Sequence, residues 1–454
     1  MDDLNIPKEI FLEIVSNLED DELIIALFVN RLWMKILKPM IRVFIKKNDY
    51  TDIVAEKGYL DVLIWAISNG CLWGPMLCSS AAKNGHLDVI EWAYQNGCEI
   101  DDFVCGNAAR GGYLNIIQWA QLHDVEPDKW TCALAAQHGH LNLLKWLRKN
   151  GCPWSETTCS FAAISGHLNI LQWARENGCR WDTETCSDAA KQGHLEVLKW
   201  ARENGCEWNE ETCSDAASEG HLEILKWARE NGCPWNASVC WGAALYGHLN
   251  VLIWARENGC PWGTYTCEFA ASNGHFEVLK WAHKNGCEWN CDTCSEAASE
   301  GHLEILKWAR ENGCPWNESV CSGAALNGHF EVLKWARENG CDWDKETCSH
   351  AATGGHLNIL IWARKNGCRW DKSVCSKAAN NGHLEVLKWA CENGCEWDEE
   401  TCLNAAEKGH LNILIWAHEN GCQWDKDACI EGADENDHQN IYHWIKSIPY
   451  QKID

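Results

Sequence analysis

No stretch of this chain approaches the ~18 consecutive apolar residues that a membrane-spanning helix requires. Its opening residues, MDDLNIPKEIF, are acidic and lack the apolar centre of a secretory leader. Positive charge is also short: 39 Lys and Arg stand against 65 Asp and Glu, a formal charge of −26. Such a chain repels phosphate backbones and the anionic face of a membrane, so neither nucleic acid nor a membrane is an expected partner. The acids are spread through the chain rather than gathered in a tail, as in the run Glu223, Lys226, Glu230, and read as a solvated face that keeps the molecule soluble. The 29 cysteines mostly lack the C-x2-C pairing of zinc and iron–sulfur sites; their recurring gap is C-x6-C, as from Cys206 to Cys213. With no leader, a cytoplasmic location and reduced thiols are expected.

What the chain has instead is a repeated sentence. GHLEVLKWARENGCEW starts at Gly193 and GHLEILKWARENGCPW at Gly220, 27 residues later. The same step from Gly58 meets a glycine every time up to Gly409, giving fourteen copies in register. A period of this size indicates a linear array of small units rather than a set of globular domains. The array is assigned to residues 48–435, a separate module to 1–47, and a degenerate capping repeat to 436–454, where DHQNIYHWI runs one residue out of step.

One unit runs from Asn209 to Trp235. Asn209 occupies an N-cap column shared with Asp182, Asn236, Asn290, Asp344, Asp371 and Asp398, side chains suited to the free N–H groups of a first turn. Cys213, Ala216 and Ala217 then form a narrow apolar stripe at i, i+3, i+4, and Gly220 stops the helix. A second helix over HLEILKWAREN turns Leu222, Ile224, Leu225 and Ala228 inward, with Trp227 reaching the neighbouring unit, and ends at Asn231-Gly232. Two such short helices cannot bury an apolar face alone, so copies must stack. The expected fold is therefore all-α, a solenoid of helical hairpins.

Thirteen cysteines follow the second-helix glycine and fourteen lie in the first helix, leaving Cys291 and Cys391 outside the two columns. Both columns read as buried small hydrophobes. A local exception, His283, Cys287, Cys291 and Cys294, contains a true C-x2-C, but two of its cysteines are already explained by the columns. Tryptophans recur in the second helix and after its glycine and read as inter-repeat packing. Twelve of the nineteen histidines follow the first-helix glycine; a catalytic His is not reproduced twelve times. No catalytic residue, metal or cofactor is expected.

TCSDAASEGHLEILKWARENGC, from Thr212 to Cys233, resembles an ankyrin repeat, whose pattern runs T-P-L-H-x-A-A-x-x-G-H and closes in N-G-A. Cys213 takes the leucine place, Ser214 the histidine place and Cys233 the final alanine, while Gly220-His221 matches directly. The resemblance covers Tyr50 to Glu435 and implies an ankyrin-type array with its β-hairpin fingers reduced to short turns between Gly205 and Cys213. It also implies protein binding on a concave face lined by the first helices. The copies differ most at the two positions after the first-helix cysteine and the two before the glycine, which are read as exposed. Most hold polar residues, but Leu134, Phe161, Ile164, Trp241, Leu245, Tyr246, Tyr265 and Phe269 place apolar groups on or beside them. Aromatic anchors within a polar rim suit an interface hot spot, so these eight are the candidate target-binding residues; partly buried drift between copies is the alternative reading.

The front module, NIPKEIFLEIVSNLEDDELIIALFVNRLWMKI, carries more apolar surface than some forty residues can bury alone. It resembles an F-box, which begins L-P-x-E-I and ends V-x-R-x-W: here Ile6-Pro7-Lys8-Glu9-Ile10, then Leu18, Glu22-Leu23 and Val29-Asn30-Arg31-Leu32-Trp33. F-boxes bind the Skp adaptor of cullin-RING ubiquitin ligases, and the resemblance carries that contact to Ile6, Pro7, Ile10, Ile14, Leu18, Leu23 and Val29. The combination is similar to adaptors encoded by large DNA viruses that redirect host ubiquitination, which would place it in the host cytoplasm. The expected protein is a monomeric adaptor linking an unknown target to a ligase; the alternative is an ankyrin-repeat scaffold with no ligase coupling.

Overall fold

In a computed structural model of the chain, the residues described are 50–68 and 70–448, so the front module and its seven candidate contacts lie outside them. The described residues form thirty helices and no strand. They pair in sequence into hairpins, from Tyr50–Glu56 with Leu60–Ser68 to Lys426–Glu435 with Gln439–Ser447. The chain divides into two compact units, up to Thr212 and from Cys213 onward. Within each, the first helix of a hairpin packs beside that of the next: Lys129–Gln137 beside Glu156–Ile164 in one, Thr264–Ser272 beside Cys291–Ser299 in the other.

Most helices begin and end where the sequence places them, but those after Asn236 and Asp371 start later than expected, at Ser238 and Ser373, with Ala237 and Lys372 in the N-cap place. Asp128 caps Lys129–Gln137 through a reciprocal box with Thr131, and the Asn290 and Asp344 carboxamide and carboxylate accept from the N–H groups of Asp292 and Glu346. Asp182 and Asp398, in the same column, make no such capping bond. Gly220 and Gly232 hold φ of 76° and 83°, the left-handed geometry of a helix stop. From Cys206 to Asn209 the chain passes to the next helix with no regular structure, in the place of a β finger. In the last hairpin the first helix has ten residues instead of nine and Asp437 takes the left-handed position, which accounts for the one-residue offset there.

Within each unit the core is thin. In the second unit Cys213, Ala216, Ala217, Leu225, Ala228 and Cys233 are wholly buried, and Ile224 nearly so. Small side chains in the first helix allow close approach of the next, and the larger Ile and Leu of the second helix fill the space behind. Of the 29 cysteines, all are free and only Cys71, Cys291 and Cys391 are not buried. Thr158, Thr185, Thr266, Thr293, Thr347 and Thr401 are also buried, and their hydroxyls have no hydrogen-bond partner among the described residues.

The histidine that follows the first-helix glycine acts between repeats, beyond the turn role its position suggests. Nε2 of His140, His302 and His383 lies 3.0 Å from the carbonyls of Arg110, Ser272 and Thr353, thirty residues earlier. A carbonyl only accepts, so the ring donates from Nε2 and satisfies a carbonyl left open at the end of the preceding first helix. The ring also lies over that repeat's glycine.

Tryptophan forms a half-buried stripe instead of a sealed core. Where a tryptophan follows the second-helix turn, its ring meets the second-helix ring of the next hairpin, mostly edge to face: Trp154 with Trp173 at 5.8 Å, Trp316 with Trp335 at 5.9 Å. An arginine covers its other side, as Arg175 over Trp181 at 3.9 Å and Arg310 over Trp316 at 4.0 Å. The same guanidinium donates to the carbonyl that ends the turn, Arg310 Nη1 to Cys314 at 2.5 Å. Where the arginine is present, an Arg–Trp–Trp stack thus fastens a hairpin to the next one of its unit.

Candidate functional site

Residues that recur in every copy are consumed by these structural contacts, so recognition must reside where the copies differ. The first helices present such positions, but not all four that the sequence marks. The residue directly after the first-helix cysteine is buried in most copies: Ser160, Ser187, Ser295 and Ser349 are at most 8% exposed and Ala133 is wholly buried. It faces the adjacent first helix, and the serine hydroxyls turn back to their own helix, Ser160 to the Glu156 carbonyl and Ser187 to that of Glu184. The second position after the cysteine, apart from buried Gly242, and the pair before the glycine remain half-buried or exposed.

In the second unit this surface carries an aromatic cluster. The Ser238–Leu245 helix holds Trp241 and Leu245, followed by Tyr246, and the Thr264–Ser272 helix beside it holds Tyr265 and Phe269. Trp241 and Phe269 meet edge to face at 5.6 Å, and Tyr265 stacks on Phe269, one turn along its helix, at 5.9 Å. Tyr246 and Tyr265 are 56% and 60% exposed; Trp241, Leu245 and Phe269 are half-buried beneath them. Trp241 occupies a position that is a buried serine in many copies, and its size carries the ring over to Phe269 of the neighbouring helix. The rim is acidic. Burial raises the Glu268 carboxyl above the ordinary carboxylate range, and the charges of Asp292 and Glu296 raise it further.

The first unit holds a smaller patch. Phe161 and Ile164 lie half-buried on one first helix and Leu134 on the one before it, against Gly106. The sequence reading missed Trp130, which is 46% exposed, packs 6.1 Å from Phe161 and has the Lys129 ammonium 5.7 Å from its ring. Phe103, 61% exposed, was missed for the same reason. Phe103, Trp130 and Tyr265 share one column of the 27-residue register, near the start of the first helix, and comparison down that column was the available signal.

The possible metal cluster does not assemble. The His283 ring stacks on Trp289 at 3.7 Å, in the place of the usual arginine, while Cys287 contacts the Gly263 carbonyl and Cys291 sits beside the Asp292 carboxylate. No group of three or more metal-ligating side chains occurs among the described residues. Nor is any described helix long and apolar enough to cross a membrane.

Residues 213–283 and 294–337 match the family model for ankyrin repeats in many copies. No curated protein matches the chain. Among solved structures, the human ASB11 ankyrin repeat domain is similar at 20% identity, covering 35% of this chain and 84% of that one, with a TM-score of 0.31. The pentatricopeptide repeat protein PPR10 in complex with an 18-nt psaJ RNA element shows 13% identity over 97% of this chain and 79% of that one, with a TM-score of 0.36. Superpositions this loose leave the fold resting on the helical hairpins themselves and on the family match.

Proposed function

We propose that the protein is a binding adaptor whose repeats hold a target protein and whose front module couples that target to a ubiquitin ligase. The ankyrin repeats make it an interaction scaffold; the observation that points to a contact surface is the Trp241, Leu245, Tyr246, Tyr265, Phe269 cluster on a face that is otherwise polar. Two exposed tyrosines, of which Tyr265 stacks on half-buried Phe269, offer a large apolar contact at low entropic cost. The acids Glu268, Asp292 and Glu296 beside them favour a target with Lys or Arg flanking its apolar anchor. Leu134, Phe161 and Ile164, with Trp130, extend recognition to the first unit. The F-box-like pattern of residues 1–47 supplies the ligase coupling, through a Skp-type adaptor bound at Ile6, Pro7, Ile10, Ile14, Leu18, Leu23 and Val29. Residues 48–435 act as the receptor and 436–454 as its cap.

The two halves of this proposal separate in one experiment. Full-length protein, a version lacking residues 1–47 and a Tyr246→Ala/Tyr265→Ala variant are affinity-purified from the same cells and their partners quantified. The deletion is expected to lose the Skp adaptor and keep the target, and the double variant to do the reverse. A target set unchanged by the double variant removes the aromatic cluster from the account.

A further inference from the structure

In ten of the repeats the residue three before the second-helix glycine is an arginine or histidine; in the hairpin of helices Ser373–Asn380 and Leu384–Glu392 it is Cys391. The shorter side chain reaches inward rather than over the tryptophan. Its Sγ lies 3.8 Å from Sγ of Cys375, which is wholly buried on the facing helix. Cys395, at the following turn, also contacts Cys375. Three thiols therefore meet in one hairpin, and one of them, Cys391, is partly exposed. Other thiol contacts, such as Cys132 with Cys152 at 3.3 Å, lie between two buried residues.

We infer that Cys391 is a peroxide-reactive site that forms a reversible disulfide with Cys375. Peroxide oxygen adds to the Cys391 sulfur, giving a sulfenic acid and releasing one water. The Cys375 sulfur then attacks the sulfenic sulfur; hydroxide departs and takes the Cys375 proton as a second water. Two thiols are oxidised by two electrons and one peroxide is reduced. Closing 3.8 Å to an S–S bond of about 2.05 Å needs side-chain rotation between helices already in contact. Contacts with Cys391 and Cys395, and burial, raise the Cys375 thiol above its ordinary value, so the sulfenic acid forms on the partly exposed Cys391 and Cys375 resolves it. Cys291, also partly exposed, sits against the Asp292 carboxylate instead of a second thiol.

The test uses full-length protein and hydrogen peroxide, with free thiols blocked afterwards and peptides mapped without reduction. The expected product is a Cys375–Cys391 cross-link, a loss of two hydrogens that dithiothreitol restores, appearing before any oxidation of Cys71 or Cys291. Cys391→Arg, which installs the residue of the other repeats, should lose the cross-link entirely. Cys375→Ala should leave Cys391 as a sulfenic acid that dimedone traps. Oxidation of Cys391 no faster than that of Cys71 and Cys291, or a cross-link to Cys395 in place of Cys375, overturns the inference.

Discussion

At the scale of single residues, the array distinguishes side chains that look interchangeable in the alignment of its copies. The two glycines of each repeat are an example. Both are left-handed, but a Cβ at Gly220 would stand 2.8 Å from the His248 ring, whereas one at Gly232 meets nothing within 4 Å. The chain itself follows this rule: Asp124 and Asp437, its two non-glycine residues with positive φ among those described, occupy positions that no following histidine covers. Gly232→Asn is therefore expected to cost about 1 kcal/mol and Gly220→Asn distinctly more, read from denaturant midpoints. Equal losses would mean that the histidine contact adds nothing. The buried threonines make a second contrast. Thr293 has an unsatisfied hydroxyl, and Val239, Val320 and Val374 fill the same column, so Thr293→Val should raise stability by about 1 kcal/mol. Thr131→Val should lower it by about 1 kcal/mol, because that hydroxyl completes the capping box with Asp128. The threonine column was plain in the sequence, but its two roles were not, because they depend on which hydroxyls find a partner.

At the scale of the hairpin, the sequence was most informative. The Asx column, the Cys-Ala-Ala stripe and the Asn-Gly stops placed both helices of most units, since these signals act within a few residues of one another; the later starts at Ser238 and Ser373 were not foreseen. The Arg–Trp–Trp stacks were not foreseen, because Arg310 and Trp316 are six residues apart and the third member, Trp335, belongs to the next hairpin. The burial of the residue after the first-helix cysteine escaped notice for the same reason: a single helix pattern does not say how closely its neighbour lies. Arg310→Ala is expected to cost about 1–2 kcal/mol, combining the ring contact with the hydrogen bond to Cys314. Arg310→Lys should recover little of it, since a lysine lacks the flat fork that stacks and donates at once. Full rescue by lysine, in a chemical-denaturation series, would reduce the stack to simple charge.

At the scale of the whole molecule, monotony is itself the functional statement. Cysteine, histidine and tryptophan, the residues that most often announce chemistry, are committed largely to packing, and the proposed contact surface draws on the few positions that break the pattern. The eight candidate residues were legible as departures from register. Their arrangement was not: Trp241 meets Phe269 across two helices, and only Tyr246 and Tyr265 of the five in that cluster are largely exposed. With a formal charge of −26, the chain is suited to a target that brings positive charge to the acidic rim. The proposed coupling of the repeats to ubiquitin-ligase machinery runs through residues 1–47. It is tested most directly by calorimetric titration of a purified Skp adaptor into the full-length chain and into a version beginning at residue 48. Saturable one-to-one binding that disappears with the deletion is the predicted result; no binding to the full-length chain, or equal binding to both, would contradict it.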